Sequence, residues 1–148
     1  RIRLVRPRTL LYGALFSVVA VLMIWGLATR ETLDLNVIRD RSPPFVRLAD
    51  GSMRNDYALK VINMANHART VTIEISGLPG ARLATATAQS QGRLVAQAAP
   101  DSVTNIRVHI IAPAGLAPGS HNLSFTIRDA EAGDTAVSPS AFLAGASP

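Results

Sequence analysis

Between Thr9 and Thr29 the chain runs through TLLYGALFSVVAVLMIWGLAT without one charged side chain. At about 1.5 Å of rise per residue that run makes a helix of roughly 30 Å, the thickness of a bilayer's hydrocarbon core. Arg1, Arg3, Arg6 and Arg8 precede it, and arginines at one end of a span hold that end on the cytoplasmic side. The chain therefore divides into a cytoplasmic basic flank at 1–8, a transmembrane helix at 9–29 and an exported domain at 30–148. The apolar core of a secretory signal is shorter, about 7 to 15 residues. A buried helix of a soluble protein would keep a polar face, and this one has none. Tyr12 and Trp25 stand near the two ends, where amphipathic rings favour the headgroup region. Gly13 and Ser17 form a small-xxx-small pair of the kind that lets a second helix approach.

Past the helix the charge balance changes. The formal charge of the whole chain is +5, but four of its fifteen basic residues are the arginines ahead of the span. From Arg30 onward eleven Lys or Arg face ten Asp or Glu. A nucleic-acid reader needs clustered cations, with aromatics for stacking on single strands, and neither is present, so nucleic acid is not an expected partner. The absence of cysteine rules out disulfides, thiolate metal sites, iron–sulfur ligation and a cysteine nucleophile on this chain. The exported domain must hold together by its core alone, and about 110 residues suffice for that. The basic flank running straight into a membrane helix is the pattern expected of the C-terminal part of a larger protein.

The hydrophobic period after Arg30 is that of strands. Leu33, Leu35 and Val37 alternate with Asp34, Asn36 and Ile38; further alternating runs lie at Tyr57–Ile62, Val71–Ser76, Ile106–Ile111 and Leu123–Arg128. Shorter candidates are Phe45–Leu48, Arg82–Thr87 and Arg93–Ala96. Turn chemistry separates them: Ser42-Pro43-Pro44, Asp50-Gly51, Asn66-His67, Gly77-Leu78-Pro79-Gly80, Gln91-Gly92, Pro113 to Gly119 and Ala132-Gly133-Asp134. About seven short strands predict an all-β, immunoglobulin-like antiparallel sandwich behind one transmembrane helix.

Function belongs to sites rather than folds, and the candidate sites are few. Met64, His67 and His121 are the soft or nitrogen ligands that copper would use, with Met64 and His67 three residues apart across a turn. His109 falls on the outward set of its strand and reads as a solvated side chain. Asp129, Glu131 and Asp134 around Gly133 lack the spacing and the closing bidentate Glu of a calcium loop, and read as a solvated hairpin tip. Gly77–Gly80 is not followed by the Lys-Ser or Lys-Thr of a phosphate loop. Asn122-Leu123-Ser124 fits the short glycosylation pattern. No serine sits in a nucleophile elbow. No catalytic residue is predicted within this chain, and no cofactor-binding residue.

The segments Leu33–Arg41, Phe45–Leu48, Asp50–Asn55 and Tyr57–Asn63 closely resemble the C-terminal region of the FixG/CcoG family, accessory proteins for assembly of cbb3-type cytochrome c oxidase. Arg6-Pro7-Arg8 with the apolar helix resembles that family's last membrane span, and Gly77–Gly80 and Phe142-Leu143 match its later strands and tail more loosely. The resemblance implies a polytopic bacterial inner-membrane protein. Its cytoplasmic part would carry cysteine-bound 4Fe-4S clusters, and its periplasmic end would be an immunoglobulin-like domain. It also implies a link to copper handling, through reduction of copper before insertion into the oxidase. The redox chemistry would lie in the parent outside this cysteine-free chain. Two roles for the domain stay open. It is either a periplasmic module that docks a protein partner in oxidase assembly or copper delivery, or a sandwich that itself binds copper or an unrelated envelope partner.

Overall fold

Alternation at every second residue becomes a sheet when the branched and aromatic side chains it lines up can be buried on one face. A computed structural model describes residues 7–41, 43–86, 89–90 and 92–145. Of the segments named above, Arg1, Arg3 and Arg6 of the flank, Ser42 of the proline turn, Thr87 and Gln91 lie outside the described residues.

The chain separates into two compact units, divided between Glu31 and Thr32. The first contains one helix, α1, Pro7–Ala28, with no buried residue. It is long and apolar enough to cross a membrane. Within it the Ser17 hydroxyl donates to the Gly13 carbonyl at 2.8 Å, so the polar group of the small-residue pair is satisfied inside its own helix.

The second unit is built from strands β1 (Leu33–Arg39), β2 (Val46–Arg47), β3 (Met53–Asn63), β4 (Arg69–Ser76), β5 (Arg82–Ala84), β6 (Gln89–Ser90), β7 (Arg93–Ala98), β8 (Ser102–Ala112), β9 (Gly119–Asp129) and β10 (Thr135–Ala144). They form two antiparallel sheets, in the order β1-β3-β8-β5-β6 with β2 also on β3, and β10-β9-β4-β7. The five long alternating segments of the sequence are the interior of β1, β3, β4, β8 and β9. Three shorter runs become β2, β5 and β7, while two-residue β6 is too short to carry a period. The long strand not anticipated is β10. Its TAVSPSAFLA is rich in small residues and contains Pro139. Proline is tolerated because β10 is an outermost strand, paired only with β9.

The core forms where the inward residues of the two sheets meet: Leu59 and Val61 of β3, Val71 and Ile73 of β4, Val108 and Ile110 of β8, and Phe125 and Ile127 of β9, each essentially without solvent contact. Each such side chain contributes about 1.5–3 kcal/mol by burial. Tyr57 ties the sheets together. Its ring meets Phe125 edge to face with centroids 5.1 Å apart, and its hydroxyl donates to the Ala141 carbonyl of β10 at 2.9 Å. Buried Asn55, two residues before it, makes a second bridge: its amide oxygen accepts from Leu143 N at 2.7 Å and its amide nitrogen donates to Leu143 O at 3.1 Å.

Gly77 is required where β4 ends. Its φ is +95°, and a Cβ there would lie 2.6 Å from the Asn122 carbonyl oxygen. In the turn into β3, the Ser52 hydroxyl and amide donate to Asp50 Oδ1 at 2.5 and 3.0 Å. These bonds, the hydroxyl's first, hold that carboxyl below its ordinary range.

The acidic tip between β9 and β10 corrects the expectation of a solvated cluster. Glu131 is exposed, but Asp129 is only 3% exposed. The guanidinium of buried Arg69 lies 3.4 Å from Asp129 Oδ2 and donates at 2.8 Å to Asp134 Oδ2. Its other arm donates to Thr32 Oγ1 at 2.7 Å. Arg69 thus joins the first residue of the unit to its last hairpin. Spacing along the chain could not reveal this, because Thr32, Arg69 and the Asp129–Asp134 tip come from positions far apart.

Replacing Arg69 with Ala leaves the Asp129 carboxylate buried and unpaired. The expected cost is about 3–5 kcal/mol, read as a lowered urea midpoint. Burial raises the Tyr57 hydroxyl to about 12. Because the folded value lies above the unfolded one, the stability it contributes is complete below about pH 10 and lost as pH rises toward 12. In a Tyr12→Phe background, ultraviolet titration should show the remaining tyrosine ionising later in the folded chain than in urea.

Candidate functional site

The β3–β4 loop holds two of the three copper-type residues. Asn63, the buried last residue of β3, organises it: Nδ2 donates to His67 O and to Ala99 O, both at 2.9 Å, and Oδ1 accepts from Ala65 N at 3.0 Å. Met64 is 42% exposed and its amide donates to Thr32 O at 2.9 Å. His67 is exposed, with Nδ1 at 3.2 Å from Asn66 Oδ1. His121 lies elsewhere. β4 opens at the loop with Arg69, and Val71 pairs with Asp129; from there β9 runs back eight residues to His121, roughly 25 Å at strand rise. There His121 Nε2 sits 2.7 Å from Ala117 O. Met64 and His67 therefore share one loop, whereas His121 belongs to the opposite end of the sandwich. Among the described residues no group of three or more His, Cys, Asp or Glu is gathered as a metal site would need.

The most developed polar cluster lies on the outer face of the first sheet. β1 and β2 both run antiparallel to the same side of β3, with Arg39 opposite Tyr57 and Val46 opposite Arg54, so Asn55 and Asp56 fall between the two ladders; there the Asp40 amide donates to the Asp56 carbonyl at 2.9 Å. A depression of about 230 Å³ opens there, lined by Ile38, Arg39, Asp40, Asp56, Arg107 and His109 among others. Asp56 and His109 are directly opposite one another across β3 and β8. The His109 Nδ1 to Asp56 Oδ1 distance is 2.7 Å, and Arg54 Nε lies 3.0 Å from the same oxygen. His109 does face outward, as its strand parity requires, but it is held by a carboxylate and not simply solvated. Sequence reasoning missed Asp56 and Arg54, since the pairing depends on β3–β8 register. Parity placed only His109 on its outward face.

This arrangement is suited to charge recognition. The lining holds one hydroxyl, that of Tyr57, and it is committed to Ala141 and kept protonated by burial.

The fold and this site define an immunoglobulin-like β-sandwich following an apolar helix. Residues 23–145 match the family described as "IG-like fold at C-terminal of FixG, putative oxidoreductase". The chain belongs to this FixG C-terminal family. It is 40% identical over 112 residues to the nitrogen fixation protein FixG of Rhizobium meliloti (strain 1021), covering 74% of this chain and 21% of that protein. It is 34% identical over 122 residues to protein RdxA of Cereibacter sphaeroides, covering 82% of this chain and 25% of that protein. The chain thus spans about a fifth to a quarter of the relatives it matches. The crystal structure of a FixG-related protein from Vibrio parahaemolyticus has the same fold, with a TM-score of 0.64 at 24% identity over 77% of this chain and 97% of that one.

Asp56 and His109 are about a third exposed, so their pairing contributes little to stability. Asp56→Asn is expected to change the unfolding free energy by no more than about 1 kcal/mol, in contrast to Arg69→Ala, when both are measured by urea titration.

Proposed function

We propose that the chain is the membrane-anchored periplasmic interaction domain of a FixG/CcoG-like redox protein that supports assembly and copper supply of cbb3-type cytochrome c oxidase. In this reading Pro7–Ala28 crosses the bacterial inner membrane with its N-terminus cytoplasmic. The sandwich then meets a protein partner in the periplasm. The observation that carries the proposal is membership of the FixG C-terminal family over residues 23–145. The apolar helix and the arginine-rich flank ahead of it support the orientation.

The segment itself is not an enzyme in this proposal. Cysteine-bound 4Fe-4S clusters, and any reduction of copper they drive, belong to other parts of the parent. The residues present do not fit such a cluster, since the chain has no cysteine to supply a thiolate. A second reading, copper binding by the sandwich, is favoured by one observation: Met64 and His67 are exposed on one loop whose backbone Asn63 fixes.

Titration of the full chain in detergent with Cu(I) under a competing chelator separates the two. The expected result is no tight stoichiometric binding, together with co-purification of oxidase subunits from membranes expressing the parent. Tight binding lost in Met64→Ala/His67→Ala would transfer the role to the loop. Loss of co-purification as well would overturn the docking proposal.

A further inference from the structure

We infer that the free side of β8, Ser102–Val108, is the surface on which the sandwich takes a partner, by adding an extended segment of that partner to its first sheet. The inference rests on reading the domain as an interaction module. It deepens that reading by naming the edge and the form of the ligand.

β8 is paired with β3 along its whole length, from Ser102 to Ala112. On its other side only His109, Ile110 and Ile111 are paired, by three-residue β5. Ser102–Val108 therefore have no strand beside them on that side among the described residues. An unpaired ladder edge offers a row of backbone donors and acceptors that only an extended backbone can satisfy in register.

The side chains under this edge agree. Leu59 and Val61 of β3 are fully buried, yet their cross-strand partners Ile106 and Thr104 are only half-buried. Across the sandwich, Leu94 and Ala96 of β7 point to the same interior and are also half-covered. These four border a shallow trough of about 460 Å³. A strand laid along β8 would project alternate side chains into it, where Leu94 and Ile106 favour apolar ones. Its outward set would meet Arg107, which is exposed and has no carboxylate within ion-pairing distance among the described residues. The occupant is thus an extended protein segment with alternating apolar residues and an acidic residue on its other face.

Two of the other edges are blunted: β10 carries Pro139, and the β1–β2 side is interrupted between Arg39 and Val46. β7, the outer strand of the second sheet, is paired only with β4, and it is the competing edge that the test must separate from β8.

The probe is a synthetic peptide of about eight residues alternating valine and threonine, with one central threonine replaced by glutamate. Added to the full chain in detergent, it should bind and raise protection of the Ser102–Val108 amides against hydrogen exchange about tenfold. Arg107→Glu should weaken it about fivefold, while Arg128→Glu, on the outer face of the other sheet, should leave it unchanged. No binding, protection at β1, β7 or β10 in place of β8, or equal weakening by both reversals would overturn the inference. If wild type and Arg107→Glu parents retain oxidase subunits equally while the peptide fails, this edge is excluded and the interaction proposal stands. If oxidase subunits are never retained and the peptide behaves as expected, the edge stands and the partner proposal falls.

Discussion

Everything in the strand-built unit depends on the inward face of β3. With no disulfide available, two twisted sheets are held only by what their facing side chains exclude from water and by the few polar groups that reach across. β3 supplies both kinds of contact. Leu59 and Val61 provide apolar area without solvent exposure, while Asn55 and Tyr57 bond to the backbone of β10. Buried polar groups are costly unless paired, and these two are paired across the sandwich, so they fix how the sheets register as well as that they associate. The same strand ends in Asn63, which spends its amide on the following loop. One alternating segment thereby sets the core, the closure at β10 and the shape of the loop that bears Met64 and His67.

The outer faces follow from this interior. Once β3 and β8 are in register, Asp56 is opposite His109, and the pair lines the depression that lies where β1 gives way to β2 along β3. At the other side of the sheet, β5 is three residues long where β8 has eleven. The resulting difference between a capped and an uncapped stretch of β8 is the feature that the proposed strand addition rests on. The Arg69 network lies on a third surface and has a structural part. It binds Thr32, where the unit begins, to the β9–β10 hairpin, so the entry of the chain is fastened to the fold it enters.

Legibility varied with the kind of physical signal. Long strands with large branched residues, such as Val71–Ser76 and Leu123–Arg128, were readable because period-two burial marks the chain directly. β10 was not, since its alanines and serines bury little and Pro139 argues against an inner strand; it is a strand because β9 presents a free ladder to it. His109 was placed on the right face but its carboxylate was not found, and Asp129 was assigned to solvent although it is buried against Arg69. Both misses involve partners separated by more than fifty positions, and charge pairing at that separation leaves no local pattern.

The amino-acid order by itself determined the membrane-length apolar helix, the cysteine-free and nearly neutral part after it, and the sandwich class. Each of these follows from composition or from short-range periodicity, which act through solvent transfer and backbone geometry without any distant partner; the resemblance to the FixG/CcoG family was legible separately, in the particular residues of Leu33–Arg41 and Tyr57–Asn63. Tertiary structure alone decided that His121 stands apart from Met64 and His67, that Asp56 grips His109, that Arg69 is a buried hub, and which stretch of β8 is left unpaired. These are matters of register between strands, and register is chosen by the packing of all inward faces at once.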